Sequence, residues 1–132
     1  MIKRVSVVTI LVKDQDEALK FYTEKLGLAK KDDMAWGEGN RWVTVQTEEQ
    51  PELQIFLMKA DSFGVDLREQ VGRGPAWAFG TDNCRETYET LKERGINFTS
   101  PPKDQPYGVE AIFEDLYGNR FSLVEETEPE VV

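Results

Sequence analysis

The sequence predicts an α+β fold made of two tandem βαβββ modules, and three observations carry that reading. A repeat of 68 residues aligns Asp14 with Asp82 and Gly27 with Gly95. In each copy a strand-forming apolar run precedes the Asp, and an apolar stripe at helical spacing lies between the Asp and the Gly. After each glycine the pattern changes to short runs of strand character separated by turn residues.

In chain order, the first strand is read over residues 5–12, and Asp14 follows it as a side chain able to cap a helix. The helix shows Ala18, Phe21, Tyr22 and Leu26 on one stripe and stops at Gly27, which supplies the left-handed residue that ends helices. Three strands follow at 28–36, 41–47 and 53–58, broken by Gly37-Glu38-Gly39-Asn40 and by a segment containing Pro51. The second copy reads as a strand at 76–81, Asp82 as cap, a helix with Tyr88 and Leu91 ending at Gly95, and strands at 96–99, 109–114 and 120–124. Three prolines in 100–106 remove backbone donors, so that segment is expected to be a semi-rigid loop over a cavity mouth and not a strand. The organisation expected is a first module at 1–58, a connector with one short helix at 59–74, a second module at 75–125 and an acidic tail at 126–132, one domain overall.

Composition narrows the function classes. A net charge of -9 with scattered Lys and Arg disfavours nucleic acid and anionic membrane surfaces as partners. The acidity is read as a solubility feature. No apolar run approaches the length of a membrane span, and the N-terminal run is broken by Lys3, Arg4 and Lys13, so a cytoplasmic location is expected. The chain has no histidine and a single cysteine, Cys84, which leaves no internal disulfide and no Cys/His zinc pattern. Neither a dinucleotide-binding glycine motif nor a P-loop occurs, and Gly72-Arg73-Gly74-Pro75 reads as a turn into a strand.

With the paired modules in place, four segments resemble the vicinal oxygen chelate superfamily of glyoxalases, bleomycin-resistance proteins and extradiol dioxygenases. They are VKDQDEALKFYTEKLGL at the first helix, RWVTV in the third strand, PELQIFL in the fourth, and EDLYGNRFSLVEE at the end, where Leu116 replaces the family's usual proline. The resemblance implies a curled eight-stranded mixed sheet around a cavity, with helices outside. It also implies four metal-ligand positions, which fall here on Val7, Gln54, Ala76 and Ser122. One neutral amide beside a valine, an alanine and a hydroxyl does not suit a transition metal, so no metal and no cofactor are expected, as in the family's metal-free, drug-binding branch. Glu110 and Glu114 share a strand face with Ile112 and offer at most a weak hard-cation site.

Alternation along the strands then sorts the cavity wall. If Val7 faces the cavity, Thr9 and Leu11 do too; Gln54, Phe56 and Met58 face in from the fourth strand, and Trp42, Thr44 and Gln46 from the third. Trp36 is placed at the mouth and Trp77 in plain core. Arg120, on one face with Ser122 and Val124, is placed where a ligand carboxylate or phosphate could meet it, or where a surface ion pair would form. Cys84 lies in the first turn of the second helix, where the dipole can lower a thiol pKa, but no histidine is present to act as its base, and no catalytic residue is assigned.

The ligand-binding set expected is Val7, Thr9, Leu11, Trp42, Thr44, Gln54, Phe56, Met58, Ala76, Arg120 and Ser122. It predicts metal-free binding of a small, flat or partly aromatic organic molecule in the inter-module cavity of a homodimer. Two alternatives stay open: a lyase or isomerase with a rebuilt acid/base site, and a non-catalytic structural or regulatory partner protein.

Overall fold

Eight strands form two four-stranded mixed sheets, one in each of two units, Met1–Gly74 and Pro75–Val132. The computed structural model describes residues 1–74 and 76–126, so the tail expected at 126–132 lies outside the described residues except for Glu126. In the first unit β1 (Val7–Val12), α1 (Gln15–Lys20), β2 (Ala29–Gly37), β3 (Asn40–Gln46) and β4 (Gln54–Lys59) follow in sequence. The sheet order is β1-β4-β3-β2, with β1 parallel to β4 and the other pairs antiparallel. The second unit repeats the plan with β5 (Ala78–Gly80), α2 (Cys84–Glu93), β6 (Asn97–Gln105), β7 (Gly108–Glu114) and β8 (Arg120–Glu126), in the order β5-β8-β7-β6. Between β4 and β5 the described residues include a short 3-10 turn, Arg68–Gln70.

Helix α1 packs on β3 and β4 of the first sheet. Ile10, Val12, Val43, Val45 and Leu57 are fully buried, as are Ala18 and Tyr22 of the helical segment. Each large apolar side chain among them contributes roughly 1.5–3 kcal/mol by leaving water. Asp14 caps α1 by accepting from the Glu17 N–H at 2.9 Å. The helix then widens into a π turn, Phe21–Lys25, after which the Leu26 N–H returns to the Phe21 carbonyl at 3.1 Å.

That π turn explains a difference between the two copies. The cap of α2 is Asn83, whose side chain accepts from the Glu86 N–H at 3.0 Å, and not the expected Asp82. Asn83 is one residue closer to Gly95 than Asp82 is, so the first helical segment is one residue longer than the second. A π turn absorbs one extra residue within the helix and leaves its exit in place. Both segments end at a positive-φ glycine, Gly27 at 85° and Gly95 at 92°.

Two strand expectations are corrected. Residues 100–106 are not a lid loop: β6 runs through Pro101 and Pro102 and pairs with β7 from Asn97 to Gln105. The prolines are tolerated because β6 is an edge strand and the register shifts between Ser100 and Lys103, where the ladder needs no donor from either. The strand expected at 76–81 is shorter than read, three residues long. Ala76 precedes it at φ 60°, a left-handed conformation outside the extended region, although its N–H still donates to the Arg120 carbonyl at 2.9 Å.

In the second unit the core is aromatic. Phe113 and Phe121 are fully buried with centroids 5.5 Å apart, and Trp77, Phe79 and Phe98 pack around them. The turn from β7 to β8 is closed by buried Asp115, which accepts from the Tyr117 and Asn119 N–H groups at 2.8 and 2.9 Å and from the Asn119 side-chain amide at 2.8 Å. These bonds orient the start of β8, on which Arg120 and Ser122 stand.

Candidate functional site

One face of the first sheet carries the buried core under α1, and the opposite face carries most of the expected ligand-binding residues. Register places Val7, Thr9 and Leu11 beside Gln54, Phe56 and Met58, and Thr44 beside Phe56. The sheet therefore brings Val7, Thr9, Leu11, Trp42, Thr44, Gln54, Phe56 and Met58 onto one side. Two residues of β2 join them: Asp32 pairs with Thr44, and Met34 with Trp42.

This face has an aromatic part and a polar part. The Trp42 and Phe56 rings stack at 4.3 Å and 29°; Trp36 lies 6.5 Å beyond Trp42, and Phe63 meets Phe56 edge-on at 5.8 Å. Trp36 is 61% exposed and Trp42 half-buried, whereas Phe56 is buried. Phe63 reaches Phe56 from a left-handed backbone, φ 52°, and its N–H donates to the Asn40 side-chain oxygen at 2.9 Å. Such a conformation costs a bulky residue about 1–3 kcal/mol and persists only where surrounding contacts impose it.

The polar groups are linked in series. The Asp32 N–H donates to Thr44 Oγ1 at 3.1 Å, Thr44 Oγ1 donates to Gln54 Oε1 at 2.9 Å, and the Trp42 indole N–H donates to Asp32 Oδ2 at 3.3 Å. Thr44 is fully buried, so this chain is shielded from water at its centre. Gln46 also stands on the face by alternation, and its Oε1 is buried without a hydrogen-bond partner among the described residues.

Behind the aromatic stack two further groups hold the strands. Buried Gln15, from α1, donates through Nε2 to the Arg41 and Leu57 carbonyls at 2.9 and 2.8 Å, tying β3 to β4. The Arg41 guanidinium clasps Asp33 with two bonds of 2.8 Å and reaches Asp16 at 2.8 Å. The guanidinium hydrogen bonds hold the Asp33 carboxyl below its usual range, and the same bonds raise Arg41.

The second unit's sheet presents Ala78, Ser122 and Ile112 side by side in its register, with Arg120 paired to Glu114. Arg120 is exposed and Ser122 half-buried. Ala76, the remaining expected residue, stands off the strand. Glu110 accepts from the Tyr107 hydroxyl and Glu114 from the Asn97 side-chain amide at 2.7 Å. Among the described residues no group of three or more His, Cys, Asp or Glu side chains is placed to hold a metal. The family's four ligand positions do not fit one either: Val7 and Ala76 offer no side-chain donor atom, and Gln54 Oε1 is already bonded to Thr44.

Cys84 corrects an expectation. It is fully buried and donates to the Leu123 carbonyl at 3.4 Å, and burial pushes its thiol up instead of the helix dipole lowering it. No helix among the described residues is long and apolar enough to cross a membrane.

The comparisons with known proteins agree with this architecture. The Glyoxalase/Bleomycin resistance protein/Dioxygenase superfamily model matches residues 4–123. The YurT protein of Bacillus subtilis (strain 168) is 34% identical over 126 residues, covering 92% of this chain and 98% of its own. The crystal structure of UcmS2 superposes with a TM-score of 0.87 at 40% identity, over 96% of this chain and 100% of that one. TnmS3, an antibiotic binding protein from Streptomyces sp. CB03234, superposes with a TM-score of 0.81 at 26% identity, over 96% and 98% of the two chains. This chain belongs to the Glyoxalase/Bleomycin resistance protein/Dioxygenase superfamily.

Proposed function

We propose that the protein binds a flat, mainly apolar organic molecule against the face of its first sheet opposite α1, holding it without a metal and releasing it unchanged. The observation that carries this reading is the stacked Trp42–Phe56 pair, extended by the exposed Trp36 and bordered by the side chains of Thr44 and Gln54. Apolar and aromatic lining with a few oriented polar groups is the usual make-up of a small-molecule site. Likeness to an antibiotic binding protein supports the same class of ligand. Aromatic stacking contributes about 0.5–1.5 kcal/mol beyond the area term, whereas a small anion would lose its hydration against Asp32 and a largely neutral wall.

Tryptophan fluorescence titration against a panel of planar aromatics and of small oxyanions tests the reading. Aromatics are expected to bind, and Trp42→Ala to weaken them roughly 2- to 12-fold, the equivalent of one stacking contact. Tight phosphate or small-carboxylate binding with no aromatic hit would contradict it.

A further inference from the structure

We propose that Gln54 sets ligand specificity on this face by presenting its Nε2 hydrogens to a neutral carbonyl on the ligand, so that the preferred guest is a planar aromatic molecule bearing a carbonyl. The inference rests on the binding reading above and adds which atom selects which group.

The orientation of the Gln54 amide follows from hydrogen-bond bookkeeping around Thr44. Thr44 Oγ1 accepts from the Asp32 N–H at 3.1 Å and has one proton of its own to donate. The residue is fully buried, and within the chain the acceptor that proton meets is Gln54 Oε1 at 2.9 Å. Turning the amide over would set its NH₂ against a hydroxyl whose proton then has nowhere to go, at the cost of a buried unsatisfied donor. Gln54 Oε1 is therefore fixed toward Thr44. Its Nε2 carries two donors, and no hydrogen bond from it forms within the described chain.

Placement gives this free donor its meaning. Gln54 stands in register with Val7 and next but one to Phe56 on the same strand, so its amide lies along the face that carries the Trp42–Phe56 stack. Val45 and Ile55 are paired, so Gln46 and Gln54, the next residues on the two strands, both emerge on the side opposite to them. A ring lying along the aromatic stack would have its edge toward this polar end. An amide N–H pair there is satisfied by a carbonyl oxygen and not by a hydrocarbon edge or an ammonium group.

The test uses fluorenone and fluorene, which share size and planarity and differ by a carbonyl against a methylene. Wild type is expected to bind fluorenone about fivefold more tightly, the effect of one net hydrogen bond. Gln54→Leu should bring the two affinities together, and Gln54→Glu, which replaces the donor by a carboxylate, should reverse the preference. In ¹⁵N-labelled wild type, which needs no substitution to fold, the Gln54 side-chain amide protons should move downfield with fluorenone beyond any ring-current shift shared with fluorene. Binding of both compounds with equal affinity in wild type, or a preference untouched by both substitutions, would overturn the role of Gln54 while leaving the aromatic site standing. If neither compound binds nor perturbs tryptophan fluorescence, the binding reading and this inference fall together.

Discussion

Replacing Gln15 by Leu removes both bonds that tie β3 to β4 behind the aromatic stack, with little change in side-chain volume. Gln15 is only 8% exposed, and its Nε2 donates to the Arg41 and Leu57 carbonyls at 2.9 and 2.8 Å. Two hydrogen bonds at about 0.5–1.5 kcal/mol each give a loss of roughly 1–3 kcal/mol. For a chain of 132 residues, that corresponds to a fall in Tm of about 4–11 °C. Gln15→Glu should be worse at neutral pH, because a carboxylate would face two carbonyl oxygens. Its folded-state pKa would be raised, so the proton is held in the folded protein at pH values where the unfolded chain has lost it. The deficit should therefore shrink on acidification toward the unfolded Glu value near about 4.3 and grow as pH rises above it. Thermal unfolding followed by circular dichroism across pH reads both effects. A Gln15→Leu variant within about 0.5 kcal/mol of wild type, or a Glu variant with no pH dependence beyond that of wild type, would show that these bonds do not hold the strands.

Three further outcomes rest on the same geometry. The Arg41 clamp lowers the Asp33 pKa in the folded state, so it contributes stability that is fully present above the unfolded value and lost as pH falls through the lowered folded value; Asp33→Asn should flatten that part of the acid limb in urea titrations, and an unchanged acid limb would count against the clamp. Cys84 should resist a thiol reagent at neutral pH in the native protein and react with one equivalent after denaturation, since it is fully buried with its pKa raised; rapid native labelling would contradict its placement. Light scattering should give the mass of a homodimer, because β1, β2, β5 and β6 end their sheets and Val7, Met34 and Trp36 are exposed apolar residues at 36%, 44% and 61%; a monomer mass at tens of micromolar would refute this.

The two faces of β1, β3 and β4 were legible because alternation there is undisturbed and one face is packed under α1, so Val43, Val45, Ile55 and Leu57 identify the side under the helix and leave Trp42, Thr44, Gln54 and Phe56 to the other. On β2 the same rule fails. A register shift between Lys30 and Asp32 reverses the parity, which sends Asp32 and Met34 to the face of Thr44 and Trp42 and Asp33 to the helix side with Arg41. Nothing in the run Lys30-Lys31-Asp32-Asp33 marks the bulge. Pro101 and Pro102 misled for a related reason: proline excludes a paired interior position, and a bulged edge strand is the one setting in a sheet where that exclusion does not apply. The part played by Gln15 depends on carbonyls 26 and 42 residues away, a contact that no local pattern announces. Its position just after a helix cap reads as ordinary exposed helix.

The most direct test of metal-free aromatic binding on the first sheet is NMR mapping of wild-type protein with a bound planar aromatic such as fluorenone. The Trp42 indole N–H, which bonds Asp32, and the side-chain signals of Thr9, Gln54, Phe56 and Met58 should shift together and saturate with one affinity, without added metal. Shifts confined to α1, or to Val43 and Val45 on the buried side, or appearing only after a divalent cation is supplied, would contradict it.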